Sequence, residues 1–522
     1  MTNQKKSLKP TKTFGTKVKQ FLKTNYKALL FSFSLFAINC ALIAITCVGK
    51  GVVFTSKRFI ITAIFILVVS VVLCFFAFYA RKKKWPIEKI FLVVGTTLGL
   101  MYAFAIPMGR APDEPAHIWR TYAIAQGNVL TDVQDEENGN YLPENIANFG
   151  ATYVDNAYVE LAHRVSEPIS ENYVFHKTIT SNPIDHLPHT ISMLLGRLLH
   201  LPILVILYLA RLCGLAICIV IIYYCIKFIP ILKKPLLFIS CLPLSMQTFI
   251  SISYDGMIFC SIIALITFIL YTIYQPKYIF KPLHGLLLAL LCLIAIAVKP
   301  VYFPICCLLA FVPTRCFKNK KRKALAITAI LFLTAGLFFL WSFISILSQP
   351  GNGADTNGQI SFILSNPARF IAILIHNILN SPYIYLQRLG ALEWLDAHTS
   401  DFYIISSLIV FATLCVEEYY TSKKHPFPKY FRFGVLVATA LTIVLIFTGL
   451  YIQWTPVGAY VIEGVQTRYF LPILIGIPLA ITILRKKHST QPEKNAIDNI
   501  YLYNFLIFLN LNAITILLCT HI

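Results

Sequence analysis

Charge is what this chain has little of. Asp, Glu, Lys and Arg make up 13% of its 522 residues, against 57% hydrophobic residues and a positive mean hydropathy. A soluble domain carries about a quarter charged residues, so composition excludes that class and predicts an all-α polytopic membrane protein. Acid is the scarcer sign, with 23 Asp and Glu against 45 Lys and Arg. In a soluble chain such an excess would point to nucleic acid. Here the lysines stand in short runs between apolar stretches and read as orientation signals, so no nucleic-acid partner is expected. Cysteine is missing from the polar stretch 108–190, all fourteen lying in apolar segments or basic connectors. That excludes a disulfide framework there and makes the cysteines small packing residues. No repeat of solenoid period is present. The first 27 residues hold eight lysines and no acid, and no small-residue cleavage site follows. These features predict a basic tail before an uncleaved first span.

A hydrocarbon layer of roughly 30 Å needs about 20 apolar residues per helix. That ruler predicts spans at 28–48, 59–80, 89–106, 202–226, 235–252, 256–274, 324–347, 401–420, 430–452, 468–484 and 499–519. The stretch 283–313 is too long for one span and is interrupted by Lys299-Pro300. Two short helices, 283–298 and 301–313, return the basic run 315–323 to the side of Arg81–Lys84, Lys233-Lys234, Lys423-Lys424 and Arg485–Lys487. The result is about thirteen membrane segments with the N-terminus inside and the C-terminus outside. Residues 107–190 form a large outer loop: positions 108–190 hold twelve of the 23 acids but four Lys or Arg, a balance of −8 against +30 elsewhere. Its aromatic and aliphatic content predicts a folded cap. The remaining divisions are a tail (1–27), three N-terminal spans (28–106), a membrane core with the short hairpin (191–347), a second outer segment (348–400) and the C-terminal spans (401–522). Within 348–400, "SNPARFIAILIHNILN" predicts an N-capped helix with Pro367 in its first turn, lying flat at the interface.

The chemistry gathers at outer turns. In "APDEPAHIWR", Asp113 stands where a helix begins, and the three- and four-residue spacings place Asp113, Glu114 and His117 on one side. Asp113 as a plain helix cap is the competing account. A zinc site lacks a second spaced histidine. "SISYDG" presents Asp255, a residue type common in structural turns. A lysine between two half-length spans is costly unless it meets water or an anion, so Lys299 suits a phosphate. Arg211 lies inside its span, where a charge costs roughly 2.5–3.5 kcal/mol, and needs a partner, read here as structural. "LQRLGALEWLDAHTS" adds Arg388, Glu393 and Asp396, for which interfacial anchoring is the competing account. "EGVQTRYFLP" adds Gln466 and Arg468, the latter also readable as a snorkelling arginine.

"PDEPAHIWRTYAIAQGN", "LGALEWLD" and "VQTRYFLPIL" resemble the signature segments of domain-of-unknown-function family 2142, bacterial polytopic membrane proteins patterned P-P-D-E-x-x-H, G-x-L-G-W-L-D and Q-G-R-Y-x-x-P. The resemblance covers about residues 95–480. Ala111 replaces the first Pro, Glu393 stands where Gly is usual before Trp, and Thr467 stands where Gly precedes Arg. That family is in turn similar to type-C glycosyltransferases. The resemblance implies a polyprenyl-phosphate-linked sugar donor lying in the membrane lipid, a saccharide or polymer acceptor such as a surface polysaccharide or teichoic acid, and a multi-pass protein of the bacterial cell membrane. Asp113 would be the general base, with Glu114 or His117 orienting it or holding a divalent cation such as Mg²⁺ or Mn²⁺. Lys299, Arg468 and Arg120 would receive phosphate charge. Two other classes are weighed beside it. A transporter or flippase of a lipid-linked saccharide predicts matched halves and charges at mid-membrane, and a non-catalytic assembly partner predicts dispensable outer charges.

Overall fold

The computed structural model describes residues 14–49, 51, 57–134, 137–150, 164–346, 355–380, 382, 388–421, 427–482 and 498–521. The basic runs Lys423-Lys424 and Arg485–Lys487 lie outside them. The chain opens with α1 (Phe14–Gly49), α2 (Lys57–Lys82) and α3 (Ile87–Ala105). The polar insertion holds α4 (Glu114–Ala125), strands β1 (Asp132–Gln134), β2 (Glu137–Pro143) and β3 (Tyr173–Lys177), and α5 (Leu187–Leu198). There follow α6 (Ile203–Phe228), the short pair α7 (Lys233–Ser240) and α8 (Pro243–Ile250), α9 (Asp255–Tyr274), α10 (Pro282–Ile296) and α11 (Lys320–Ile346). Then come α12 (Thr356–Ser365), α13 (Pro367–Asn380), a two-stranded hairpin of β4 (Ala391–Leu392) and β5 (Ala397–His398), α14 (Asp401–Thr421), α15 (Phe431–Gln453), α16 (Gly476–Thr482) and α17 (Asn499–His521).

Among the described residues nine helices are long and apolar enough to cross a bilayer, or ten spans if the α12–α13 pair, bent by 106°, counts as one. Two stretches expected as plain spans are interrupted. Residues 235–252 break between α7 and α8, because Pro243 has no N–H to donate back along the helix. The freed carbonyls are satisfied by side chains: Ser245 Oγ donates to Ile239 O at 2.7 Å and Asn510 Nδ2 to Cys241 O at 2.9 Å. That replacement lets irregular backbone sit inside a helix layer. The described part of the stretch 468–484 forms a 3-10 turn, Thr467–Ile473, carrying Pro472, followed by α16. The second half of the 283–313 hairpin is likewise short 3-10 and α turns over Pro300–Phe311. The expectation of an all-α chain is corrected in the insertion, where β2 pairs antiparallel with both β1 and β3. The aromatic and β-branched residues Tyr141, Tyr173, Val174 and Phe175 of β2 and β3 favour a pleated strand over a helix.

Close packing of the layer follows from small and amide side chains. Gly95 and Gly99 let α3 lie against Ile219 and Leu215 of α6, where a Cβ at Gly99 would collide with Leu215. Helix α17 is almost wholly buried, and three of its amides tie it to neighbours: Asn504 to Ser32 Oγ (2.6 Å), Asn510 to Tyr102 (3.1 Å) and Asn512 to Asn39 (2.9 Å). At one end of the layer the basic connectors meet acids, Lys233 with Glu88 at 3.8 Å, Lys234 with Glu417 at 2.5 Å, and Arg81 with Asp498. The insertion stands at the opposite end, where α3 ends and α9 begins.

One buried ion pair locks the insertion to the layer. Arg211 of α6 and Glu114 of α4 have fully buried side chains and meet bidentately, at 2.9 Å and 2.5 Å. The remaining guanidinium donors go to the carbonyls of Ala103, Ile106 and Pro107, and Glu114 also accepts from the N–H groups of Gly109 and Ile252. Removing one member of such a pair leaves a buried charge unmatched, which costs about 3–5 kcal/mol. Arg211→Leu is therefore expected to lower the melting temperature of the detergent-solubilised protein sharply, and Arg211→Leu/Glu114→Leu to recover part of the loss. Equal melting of wild type and Arg211→Leu would contradict this account.

Candidate functional site

The turn 107–113 between α3 and α4 is shaped by two left-handed residues, Gly109 (φ 86°) and Asp113 (φ 62°). Asp113 occupies the position before the first residue of α4, yet its side chain makes no capping hydrogen bond. The carboxylate turns away to Arg468, whose Nη1 also donates to Pro112 O at 2.9 Å. Aspartate tolerates this backbone conformation better than most residues, and the side chain is left 42% exposed. The plain helix-cap account of Asp113 does not describe this geometry.

Arg468 and Tyr469 sit in the 3-10 turn Thr467–Ile473, Asp255 is the first residue of α9, and Lys299 precedes the turn Pro300–Tyr302. Each lies at a helix break or start, and together they form a row of alternating sign. Asp113 pairs with Arg468, Arg468 Nε lies 3.2 Å from Asp255, and Asp255 pairs with Lys299. The Lys299 ammonium stands over the rings of Tyr469 (4.0 Å) and Tyr254 (4.9 Å), and the Arg468 guanidinium over Tyr469 (5.5 Å). Cation–π contacts of this kind hold a charge at a wet edge without neutralising it.

Asp113, His117, Lys299, Tyr254 and Tyr469 line a cavity of about 390 Å³. Its other wall is Val301 with Ile446, Gly449, Leu450, Gln453 and Trp454 from the end of α15. That wall is braced from behind: Gln359 of α12 donates to Tyr451 O at 3.0 Å and accepts from Gly458, while Asn377 of α13 donates to Tyr460 O and accepts from Ile462. The cavity is therefore ionic at one side and apolar at the other, the apolar side being the surface of a helix long enough to span.

Behind Asp113 lies a nest of titratable groups. The buried His117 ring is 4.5 Å from Tyr254 and 5.6 Å from His186, and its Nδ1 has no hydrogen-bond partner. Burial pushes this histidine down to about 4, opposed by Asp113 and Asp255 and reinforced by Arg468 and Lys299. His186 is held from both nitrogens, by Thr121 (3.0 Å) and Ser181 (2.8 Å). Asp185 is fully buried, both its oxygens lack a hydrogen-bond partner, and burial raises it well above the usual carboxylate range.

The other residues singled out in the sequence fall elsewhere. Glu114 is committed to Arg211. Arg120 is buried and donates to the carbonyls of Ser181 (2.9 Å) and Val129 (2.7 Å), tying α4 to its cap rather than facing the cavity. Arg388 donates to Val465 O at 3.1 Å, and Gln466 is the half-buried residue preceding the Arg468 turn. Asp396 pairs with Arg110 at 2.6 Å, and Arg110 lies 3.5 Å from Glu393. Glu393 has φ 54°, a conformation that glycine adopts freely. Its buried backbone N–H is held by Gln247 at 2.8 Å. These contacts dock the β4–β5 hairpin on the 107–113 turn, and Arg388 docks it on the segment leading to Arg468. Tyr254, Tyr469, Trp454 and Asp185 carry no spacing signal. Tyr254 and Tyr469 could have been found as the aromatic neighbours of Asp255 and Arg468. Among the described residues no three His, Cys, Asp or Glu are grouped to hold a metal ion.

A family model described as Predicted membrane protein (DUF2142) matches residues 96–477. No curated protein and no solved structure matches the chain.

The low proton affinity of His117 gives a pH test. Between its ordinary 6.5 and about 4 the unfolded chain holds a proton that the folded chain does not. The contribution to stability is thus present above pH 6.5 and lost as pH falls toward 4. His186 shifts the same way and Asp185 the opposite way, so the difference between proteins is the informative quantity. His117→Gln should lose less of its melting temperature than wild type between pH 7 and pH 4.5. Parallel declines would refute the assignment.

Proposed function

The chain belongs to the Predicted membrane protein (DUF2142) family and is a membrane protein, and from that premise we propose that it is a glycosyltransferase of the bacterial cell membrane. It transfers a sugar from a polyprenyl-phosphate donor to a saccharide or polymer acceptor outside the cytoplasm. The observation that carries this reading is the two-sided cavity, in which Asp113 and Lys299 face the apolar end of α15. An amphiphile with an anionic headgroup fits such a site: its chain lies along α15 and its phosphate meets Lys299. The basic connectors gather at the far end of the layer, which by the positive-inside rule is cytoplasmic and leaves the cavity outside. Nucleotide sugars are not supplied there, so a lipid-linked donor is the natural one.

In this mechanism the Asp113 carboxylate accepts the proton of an acceptor hydroxyl as its oxygen bonds to the anomeric carbon of the donor. The bond from that carbon to the phosphate oxygen breaks, and its electron pair leaves with polyprenyl phosphate. Lys299, with Arg468 behind it, receives the growing phosphate charge in a setting of low dielectric. His117, neutral at pH 7, lines the cavity as a hydrogen-bonding group beside Asp113. Interrupted helices around the cavity also suit movement of a lipid-linked saccharide across the membrane, and transport without transfer is the second reading.

Asp113→Asn in proteoliposomes, with insertion verified, should lower sugar transfer from a polyprenyl-phosphate donor by roughly 10²–10⁴-fold. Lys299→Gln should raise KM for the donor. Undiminished transfer by Asp113→Asn would remove the base assignment, and donor translocation with no transfer by any protein would favour the second reading. For sidedness, cysteines at Ala116 and Val298, both lining the cavity, should react with an impermeant thiol reagent from outside intact cells. Labelling from opposite faces would defeat the whole arrangement.

A further inference from the structure

The row Asp113, Arg468, Asp255, Lys299 is open only at its ends. The Asp113 and Lys299 side chains, 42% and 16% exposed, line the cavity, while Arg468 and Asp255 between them are 9% and 10% exposed. Arg468 is shared by two carboxylates and Asp255 by two cations. Arg468 is also anchored by Pro112 O and by the Tyr469 ring. Two positive and two negative charges cancel, so an entering anion gains nothing from net charge and must compete for a cation already engaged. Interactions among partly buried charges are strong and mutually dependent.

We propose that these four residues form a coupled ion chain in which a phosphate group bound at Lys299 releases Asp113 from Arg468, so that donor binding frees the base. Phosphate takes Lys299 from Asp255, Asp255 leans on Arg468, and Arg468 slackens its hold on Asp113. Asp255 is then a positioning residue acting through Arg468, and the donor binds before the acceptor loses its proton. This rests on the glycosyltransferase reading and adds the regulation of its site.

Coupling of this kind is reciprocal. Discharging Asp113 lets Arg468 turn fully to Asp255, frees Lys299 and tightens phosphate binding. The test is a double-mutant cycle on the full-length protein in detergent, with inorganic phosphate and farnesyl phosphate as probes in separate calorimetric titrations. Asp113→Asn should bind phosphate about tenfold tighter than wild type, a typical coupling. The same change in an Asp255→Asn background should have no effect, because the link is cut, and Asp255→Glu should restore it. If Asp255→Asn fails to fold, Arg468→Lys serves, since a point charge cannot span both carboxylates. An equal effect of Asp113→Asn in both backgrounds means direct repulsion of the anion and overturns the chain while leaving the phosphate site standing. Binding of neither probe by any protein overturns the phosphate site and the chain with it. Tighter binding of farnesyl phosphate than of inorganic phosphate assigns the headgroup to a lipid, and equal binding assigns it to a free anion; the cycle decides the coupling in either case.

Discussion

Glu114 and Arg211 meet with no exposure to solvent, at the point where the polar insertion joins the helix layer. An unpaired guanidinium in α6 would be costly within a hydrocarbon environment. Here every guanidinium nitrogen has a partner, and those partners come from the end of α3, the 107 turn and α4. Glu114 extends the clamp to the turn before α9 through Ile252. The pair therefore fixes the 107–113 turn against the start of α9, and Asp113 and Asp255 belong to those two segments. Charge spent on structure at position 114 leaves the neighbouring carboxylate at 113 free to face the cavity.

The ionic row is assembled almost wholly from places where helices fail to continue. Asp113 precedes α4, Asp255 opens α9, Lys299 precedes a proline turn, and Arg468 lies in a 3-10 turn bearing Pro472. A continuous span hides its backbone and presents side chains to lipid or to neighbours. Breaks bring polar side chains and carbonyls into the layer, and those groups then require partners. The aromatic pair Tyr254 and Tyr469 stands beside Lys299 and holds that cation on the ionic side of the cavity.

Three separated motifs meet here through modest contacts. The hairpin β4–β5 takes left-handed turns at Glu393 and Leu395, which aim Glu393 and Asp396 back at Arg110. Glu393 carries its carboxylate on a left-handed backbone, a conformation that disfavours side chains, and that carboxylate lies 3.5 Å from Arg110. Arg388, Gln247 and Trp394 complete the docking. None of these docking residues is among those that line the cavity.

Composition and hydropathy alone determined the class: long apolar runs with almost no charge have one stable environment, and the segments that became α1–α3, α6, α9, α11, α14, α15 and α17 are legible by length. Asp113, Asp255, Lys299 and Arg468 stood out as charges at the borders of such runs, but spacing alone left a helix cap, a structural turn and snorkelling open as accounts of the first, second and last. What sequence could not give was partnership. Whether Glu114 joined Asp113 at the site or Arg211 in the interior depends on α6 passing behind α4, a contact across 97 positions. The prolines at 243 and 472 stand in the sequence, but what satisfies the backbone they free, the sheet in the insertion and the burial of Asp185 do not, since each is decided by which distant group answers an exposed backbone or charge. Local spacing marks a residue as chemically expensive; only the tertiary structure decides what answers it.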